Sequence, residues 1–309
     1  VPSDSRPAAA PATDHTPAPL AVAAAACAAA GLDARDAQLV HHYASAVVHL
    51  PRAGAVARIG PGDRTAAADR CLALVRWLID EGFPVPAPLG GLRAVHVASS
   101  TVTFWHHHPQ HGAATSRLDS AALGALLRRL HDLPDPPVDL PSWRPLTGLE
   151  QALTEPWSHE ALPDDDRDWV LRRIAAVRAG LDHAHLPLGR GLIHGDAWAG
   201  NLLHGARGRV LLGDWDDVAW GPREVDLVPT WHAARRYRDE PDWTTRFAAA
   251  YGHDLAASTP DFELLMQMRD LVQISGPLRH AAHSPVHARA LRQRLDGTRA
   301  RDSRRWHQF

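Results

Sequence analysis

The chain has 309 residues and a mass of 33.6 kDa, enough for one large domain or for two lobes with separate cores. Apolar residues make up 45% and charged residues 22%, a balance that can offset the entropy of folding, and a formal charge of -2 gives no overall field to attract nucleic acid or an anionic membrane surface. The two cysteines, Cys27 and Cys71, have no CxxC spacing, support neither a disulfide framework nor a cysteine zinc site, and fit a reducing cytoplasm. All 33 Lys+Arg residues are arginine, a usage attributable to a GC-rich genome.

In chain order, residues 1 to about 18 are rich in Pro, Ala, Ser and Thr without apolar periodicity, which predicts a disordered tail. Residues 21–30 are too short to span a bilayer and lack a basic start, so they read as a helix ending at Gly31, with an export signal as the alternative. Residues 45–50 and 55–59 are strand-like runs joined by Pro51-Arg-Ala-Gly54, a hairpin signature. Asp63 can cap a helix whose apolar positions Leu72, Leu74, Val75, Leu78 and Ile79 share a side, and Gly82 and Pro84 stop it. Two more strands are expected around 92–98 and 101–106. Beyond them the spacing predicts helices at 119–133, 166–181, 225–236, 245–251, 262–274 and 287–295. The expected architecture is α+β and two-lobed: a tail and alanine-rich helix (1–36), a small antiparallel β-sheet lobe with one packed helix (37–106), and a larger helical lobe (107–309).

The chemistry concentrates in Leu192-Ile-His-Gly-Asp-Ala-Trp-Ala-Gly-Asn-Leu-Leu203, followed by Val210-Leu-Leu-Gly-Asp-Trp-Asp216. Phosphoryl transfer to a hydroxyl needs a carboxylate to orient the hydroxyl and take its proton, and oxygen ligands to hold Mg²⁺ on a triphosphate. Asp196 is the candidate base. Asn201, five residues on, can turn its amide oxygen toward a metal that Asp214 completes from the next strand. A turn at Gly205-Ala-Arg-Gly208 folds the two runs into a hairpin that brings Asn201 and Asp214 together. A lone His-Gly-Asp is more often a polar turn; the joined pattern between two apolar runs is far more restrictive.

With His194-Gly-Asp-x-x-x-x-Asn201, Gly213-Asp-Trp-Asp216, Gly221-Pro222 and Asp226-Leu227, the chain resembles the aminoglycoside phosphotransferase and choline kinase-like family, related in fold to protein kinases. The resemblance covers most of residues 37 to about 275 and is strongest in the second lobe. It implies Asp196 as catalytic base, Asn201 and Asp214 on Mg²⁺, and His194 and Asp226 as structural support of the loop. It implies nucleotide contacts at Ser45, in a run Tyr43-Ala-Ser-Ala46 that has no glycine, and at Arg58, where kinases carry a lysine on the phosphates. Arg58's usual carboxylate partner falls at Cys71, with Asp69 the nearest acid. Phe104, Trp105 and His106 fall where the family's backbone meets the adenine edge; as side chains they also read as core aromatics at a strand end.

His106-His-His108 and His111 cannot all face one ion, and His131 reads as a packing or capping residue. For the acceptor side, Asp216 and Trp231 are the candidates. The expected activity is ATP- and Mg²⁺-dependent transfer to a hydroxyl of an aminoglycoside or other antibiotic, an amino alcohol or a sugar, by a cytoplasmic monomer or homodimer with no nucleic-acid or membrane partner. Two rivals are a degenerate kinase-like protein that holds nucleotide without transfer, and a metal-dependent hydrolase using His194, Asp196 and Asp214.

Overall fold

The computed structural model describes residues 18–42, 45–110 and 118–307. The expected tail at 1–17, Tyr43 and Ala44 of the glycine-free loop, and His111 lie outside them. The chain divides into two compact units: residues up to Leu72 with Ala87–His107, and Ala73–Pro86 with His108 onward.

The first unit contains α1 (Pro19–Ala30), β1 (Gln38–His42), β2 (Ala46–Leu50), β3 (Ala55–Pro61), the first half of α2 (Thr65–Asp80), β4 (Val95–Val97) and β5 (Ser100–His106). The strands form one sheet in the order β1-β2-β3-β5-β4, each neighbour antiparallel. Strict alternation in β2 and β3 turns Ala46, Val48, Leu50, Ala55, Ala57 and Ile59 to one face, where they meet Val102 and Phe104. Helix α1 closes that face with Val22, Ala23, Ala26 and Cys27, its alanines allowing close approach, and ends at Gly31 in the left-handed region (φ 70°). The expected hairpin is present, Leu50 opposite Ala55, with Gly54 at φ 58° closing a short 3₁₀ turn. Asp63 accepts from the Thr65 amide at 3.2 Å and hydroxyl at 2.8 Å at the start of α2. Strand β1 was not expected: it is a bulged edge strand whose Leu39 and Val40 are exposed, so it carries no alternation to read.

The second unit continues with α3 (Ser120–His131), α4 (Thr147–Thr154), α5 (Ser158–Ala161), α6 (Asp164–Asp182), β6 (Arg190–Ile193), β7 (Leu202–His204), β8 (Val210–Leu212), β9 (Ala219–Pro222), α7 (Glu224–Arg236), α8 (Trp243–Tyr251), α9 (Leu255–Ser258), α10 (Phe262–Val272), α11 (Ser275–His280) and α12 (Pro285–Ala300). Asp119 caps α3 by accepting from the Ala122 amide, and the stripe Leu123, Leu126, Leu127 and Leu130 is buried. At Gly124 a Cβ would lie 2.7 Å from the Phe247 carbonyl, so only glycine lets α3 pack this closely on α8. Two small antiparallel ribbons, β6-β9 and β7-β8, sit beside these helices and frame the loop described next. Gly221 and Pro222, part of the motif, end β9. No helix among the described residues is long and apolar enough to cross a membrane.

Candidate active site

The loop after β6 is held by one buried carboxylate. Asp226, fully buried on the first turn of α7, accepts from the His194 amide at 2.7 Å (Oδ2) and the Gly195 amide at 2.8 Å (Oδ1). His131 at the end of α3 donates Nε2–H to the same carboxylate at 3.1 Å, and its Nδ1 accepts from the Tyr251 hydroxyl at 2.8 Å. A buried carboxylate needs several donors, and here three are supplied, two by the loop and one by α3. His131 is thus more than a packing residue: it ties α3 and α8 to the loop. Burial pushes the Tyr251 phenol well above its ordinary range, so it stays a donor.

Gly195 takes φ 86°, and a Cβ there would sit 2.1 Å from the Asp217 carbonyl oxygen, so neither conformation nor space admits another residue. His194, fully buried, donates Nε2–H to the Gly213 carbonyl at 2.8 Å, and its Nδ1 accepts the Asp196 amide at 3.4 Å. Both ring nitrogens are used inside the fold, which counts against His194 as a metal ligand. The expected base, Asp196, follows at once and is about one-third exposed.

Asn201 donates Nδ2–H to the Asp196 carbonyl at 2.9 Å, which commits the nitrogen and leaves Oδ1 as its ligating atom. The Gly213 amide donates to the Asn201 carbonyl at 2.8 Å, joining the β7-β8 ribbon at the point where Asp214 emerges in the left-handed region (φ 63°). Asn201 therefore lies just before β7 and Asp214 just after β8, at the same end of the ribbon, with the Gly213–Asn201 bond between their neighbouring backbones. Burial pushes the Asp217 carboxyl up, and the charges of Asp196, Asp216 and Asp214 push it the same way. Such a concentration of hard oxygen donors suits Mg²⁺, which binds through one or two side chains while phosphate oxygens and water fill the rest. Among the described residues no three His, Cys, Asp or Glu side chains converge on an ion by themselves.

Two cavities meet at Asp196. One, about 450 Å³, opens between the loop, α7 and the helices α10 and α12; the other, about 600 Å³, includes Asp216, Asp217 and the 141–149 segment. Asp196, Arg269 and Gln273 line both, and Arg269 Nη2 donates to Asp196 Oδ1 at 2.9 Å, an ion pair common to the two linings. Nothing local in the sequence marks Arg269. It lies on a helix whose orientation only tertiary packing decides, between the buried Met268 and Asp270. Of the two acceptor-side candidates, Asp216 lines the larger cavity and Trp231 lines neither: it is buried edge-on to Phe247, 5.4 Å between ring centroids. Its helix neighbours Pro229, Thr230, His232 and Ala233 line the smaller cavity instead.

In the first unit, Arg58 sits on β3 opposite Val47 and Thr103, on the sheet face away from α1, and Ser45 directly precedes β2. Asp69 accepts from Arg93 at 2.6 Å and from the Ala94 amide at 2.9 Å, and Cys71 is buried. Phe104 belongs to the core cluster. Its carbonyl accepts from Leu89 and the His106 amide donates to Ala87, both at 2.9 Å, so these two backbone groups are already bonded to the 87–89 segment. Trp105 donates its indole N–H to the Thr103 hydroxyl at 2.8 Å.

An antiparallel β-sheet unit with a packed helix, followed by a helical unit carrying this loop and ribbon, is the two-lobed protein kinase-like fold. Solved structures bear this out at low identity. An amicoumacin kinase in complex with AMP-PNP and Ca²⁺ superposes with a TM-score of 0.64 at 16% identity, covering 86% of this chain and 88% of its own. A microcompartment-associated aminopropanol kinase gives 0.61 at 17%, covering 89% and 95%. The aminoglycoside phosphotransferase APH(3'')-Id from Streptomyces rimosus gives 0.56 at 21%, covering 81% and 96%. No curated protein sequence matches the chain. The model of the phosphotransferase enzyme family (APH) matches residues 37–265, and the chain belongs to that family.

Proposed function

We propose that the chain transfers the γ-phosphoryl group of ATP, with Mg²⁺, to a hydroxyl of a small molecule. The observation that supports this reading is the placement of Asp196 on the lining of both cavities, with Asn201 hydrogen-bonded to its carbonyl and to Gly213, the residue before Asp214. Asp196 orients the acceptor hydroxyl and takes its proton as the hydroxyl oxygen bonds to the γ-phosphorus and the bond to the leaving ADP oxygen breaks. Asn201 Oδ1 and the Asp214 carboxylate would hold the metal, whose contribution is to neutralise charge on the triphosphate. His194 and Asp226 keep the loop in place through the bonds described, so catalysis rests on positioning rather than on covalent chemistry. Ser45 and Arg58 are the nucleotide contacts of the first unit in this reading, and an adenine contact at 104–106 would use groups other than the Phe104 carbonyl and the His106 amide, which the 87–89 segment holds. Structural relatives named for amicoumacin, aminopropanol and aminoglycosides support a search among hydroxylated antibiotics and amino alcohols, with sugars added to the panel as further hydroxyl acceptors.

The test is coupled ADP release over a panel of such acceptors. Asp196→Asn is expected to lower turnover by about two orders of magnitude or more while leaving AMP-PNP affinity in place. Wild-type turnover in that variant would remove Asp196 as the base. A second reading, nucleotide binding without transfer, draws on the glycine-free run at Ser45 and on Arg58 in place of lysine. It predicts AMP-PNP binding with no acceptor-stimulated ADP release.

A further inference from the structure

The smaller cavity carries the wrong charge for a polycation. Arg238, Arg269 and Arg294 line it, and Asp196 is its sole carboxylate. That carboxylate is already engaged by Arg269. His232, also in the lining, does not offset this: burial lowers its pKa to about 4, against the opposing pull of Asp270, so it is neutral at pH 7. Arg238 stacks on the Trp243 indole at 4.1 Å, its Glu240 partner lying 3.5 Å away, and Arg294 donates to the Gln273 carbonyl.

Among the donor-only groups of this lining, Arg269 Nε–H and Trp243 Nε1–H are buried without a hydrogen-bond partner among the described residues. Buried donors seek acceptors, and a guanidinium edge matches a carboxylate or phosphate oxygen pair. A cationic acceptor approaching Asp196 would displace Arg269 and leave a nearly buried guanidinium unpaired, a costly exchange. An acceptor that brings its own anionic oxygens repairs the loss as it creates it. Arg269 then leaves Asp196 for the ligand, and the carboxylate is released to the acceptor hydroxyl.

We propose that the acceptor carries an anionic group, carboxylate or phosphate, beside the hydroxyl that is phosphorylated, and that Arg269, with Arg238, is the specificity-determining receiver of that group. This rests on the phosphotransferase reading for the word acceptor. The charge preference of the cavity, however, is measurable without turnover.

The experiment uses a matched series on the full chain: glucose, glucosamine, gluconate and glucose 6-phosphate. Binding is read by quenching of tryptophan fluorescence, since Trp198 and Trp243 line the cavity, and turnover is read by ADP release. Gluconate or glucose 6-phosphate should bind at least about tenfold tighter than glucose and glucosamine, and whichever of the two leads identifies the anion. Arg269→Gln should erase the preference and raise KM far more than it lowers kcat, with AMP-PNP affinity unchanged; Arg238→Gln should do so in part. Glucosamine binding as tightly as the anionic members, or an undiminished anion preference in Arg269→Gln, overturns the proposal. ADP release insensitive to Asp196→Asn would instead count against the phosphotransferase reading, with the binding series still deciding the charge of the site.

Discussion

Gly195 shows how little freedom the loop has at the level of one residue. Its φ of 86° and the 2.1 Å from a built Cβ to the Asp217 carbonyl leave no rotation that relieves both strains. Gly195→Ala should destabilise the fold by about 1–3 kcal/mol, read as a lower midpoint in urea. It should also reduce turnover beyond the loss of folded protein, because Asp196 is the next residue. An unchanged midpoint would mean that the loop yields more easily than its contacts imply. Gly195, Asp196 and Asn201 were legible because a motif of fixed spacing carries them, and Asp226 because the family resemblance extends to it. Arg269 and His131 were not. An arginine or histidine on an amphipathic helix looks the same in sequence whether it faces water or a buried carboxylate, and here packing across 73 positions (Arg269–Asp196) and 95 positions (His131–Asp226) decides the matter.

Among the elements, α7 concentrates the polar interior. Besides Asp226 it contributes Glu224, which accepts from the Leu188 amide at 2.6 Å, and His232 and Arg236, which share Asp270 of α10 at 2.9 Å and 2.6 Å. The His232 pKa of about 4 in the fold lies below its unfolded value near 6.5. Above pH 6.5 the ring is neutral in both states and its contribution is complete. As pH falls from 6.5 to 4 the unfolded chain takes up a proton that the fold refuses, so stability declines through that window by up to about 3 kcal/mol. His232→Gln should flatten the melting temperature of the protein between pH 6.5 and 4 relative to wild type; a parallel decline in both proteins would show that other groups govern it. At this scale the long helices and the β7-β8 hairpin were readable from periodicity and turn residues. The short α4 and α5 lie between prolines and have too few turns for a period to register, and β1, exposed on its edge, has none.

For the molecule as a whole, the end of the described chain is a structural member. After α12 the chain turns back, and Trp306 is buried with its ring 4.2 Å from the Arg236 guanidinium and its amide donating to the Arg236 carbonyl at 2.8 Å. Gly297 makes room for it, since a Cβ there would lie 2.8 Å from the indole nitrogen. Trp306→Ala should cost about 3–5 kcal/mol and lower the thermal midpoint of the second unit, and it should weaken acceptor binding because Arg236 and His232 lean on the same ring. A midpoint unchanged within error would show that the segment is dispensable. Composition gave no hint of this anchor, because a single tryptophan among polar residues reads as tail. Its partners are supplied by α7, about 70 positions earlier. The Asp226 carboxylate, finally, has a consequence in time. The amides of His194 and Gly195 are bound to a carboxylate of α7 that also accepts from α3 and is linked through His131 to α8, so freeing them disturbs a buried network that three helices share. Their protons should exchange with solvent on the clock of whole-unit opening rather than on that of a surface loop, which makes the centre of this site as long-lived as the core around it.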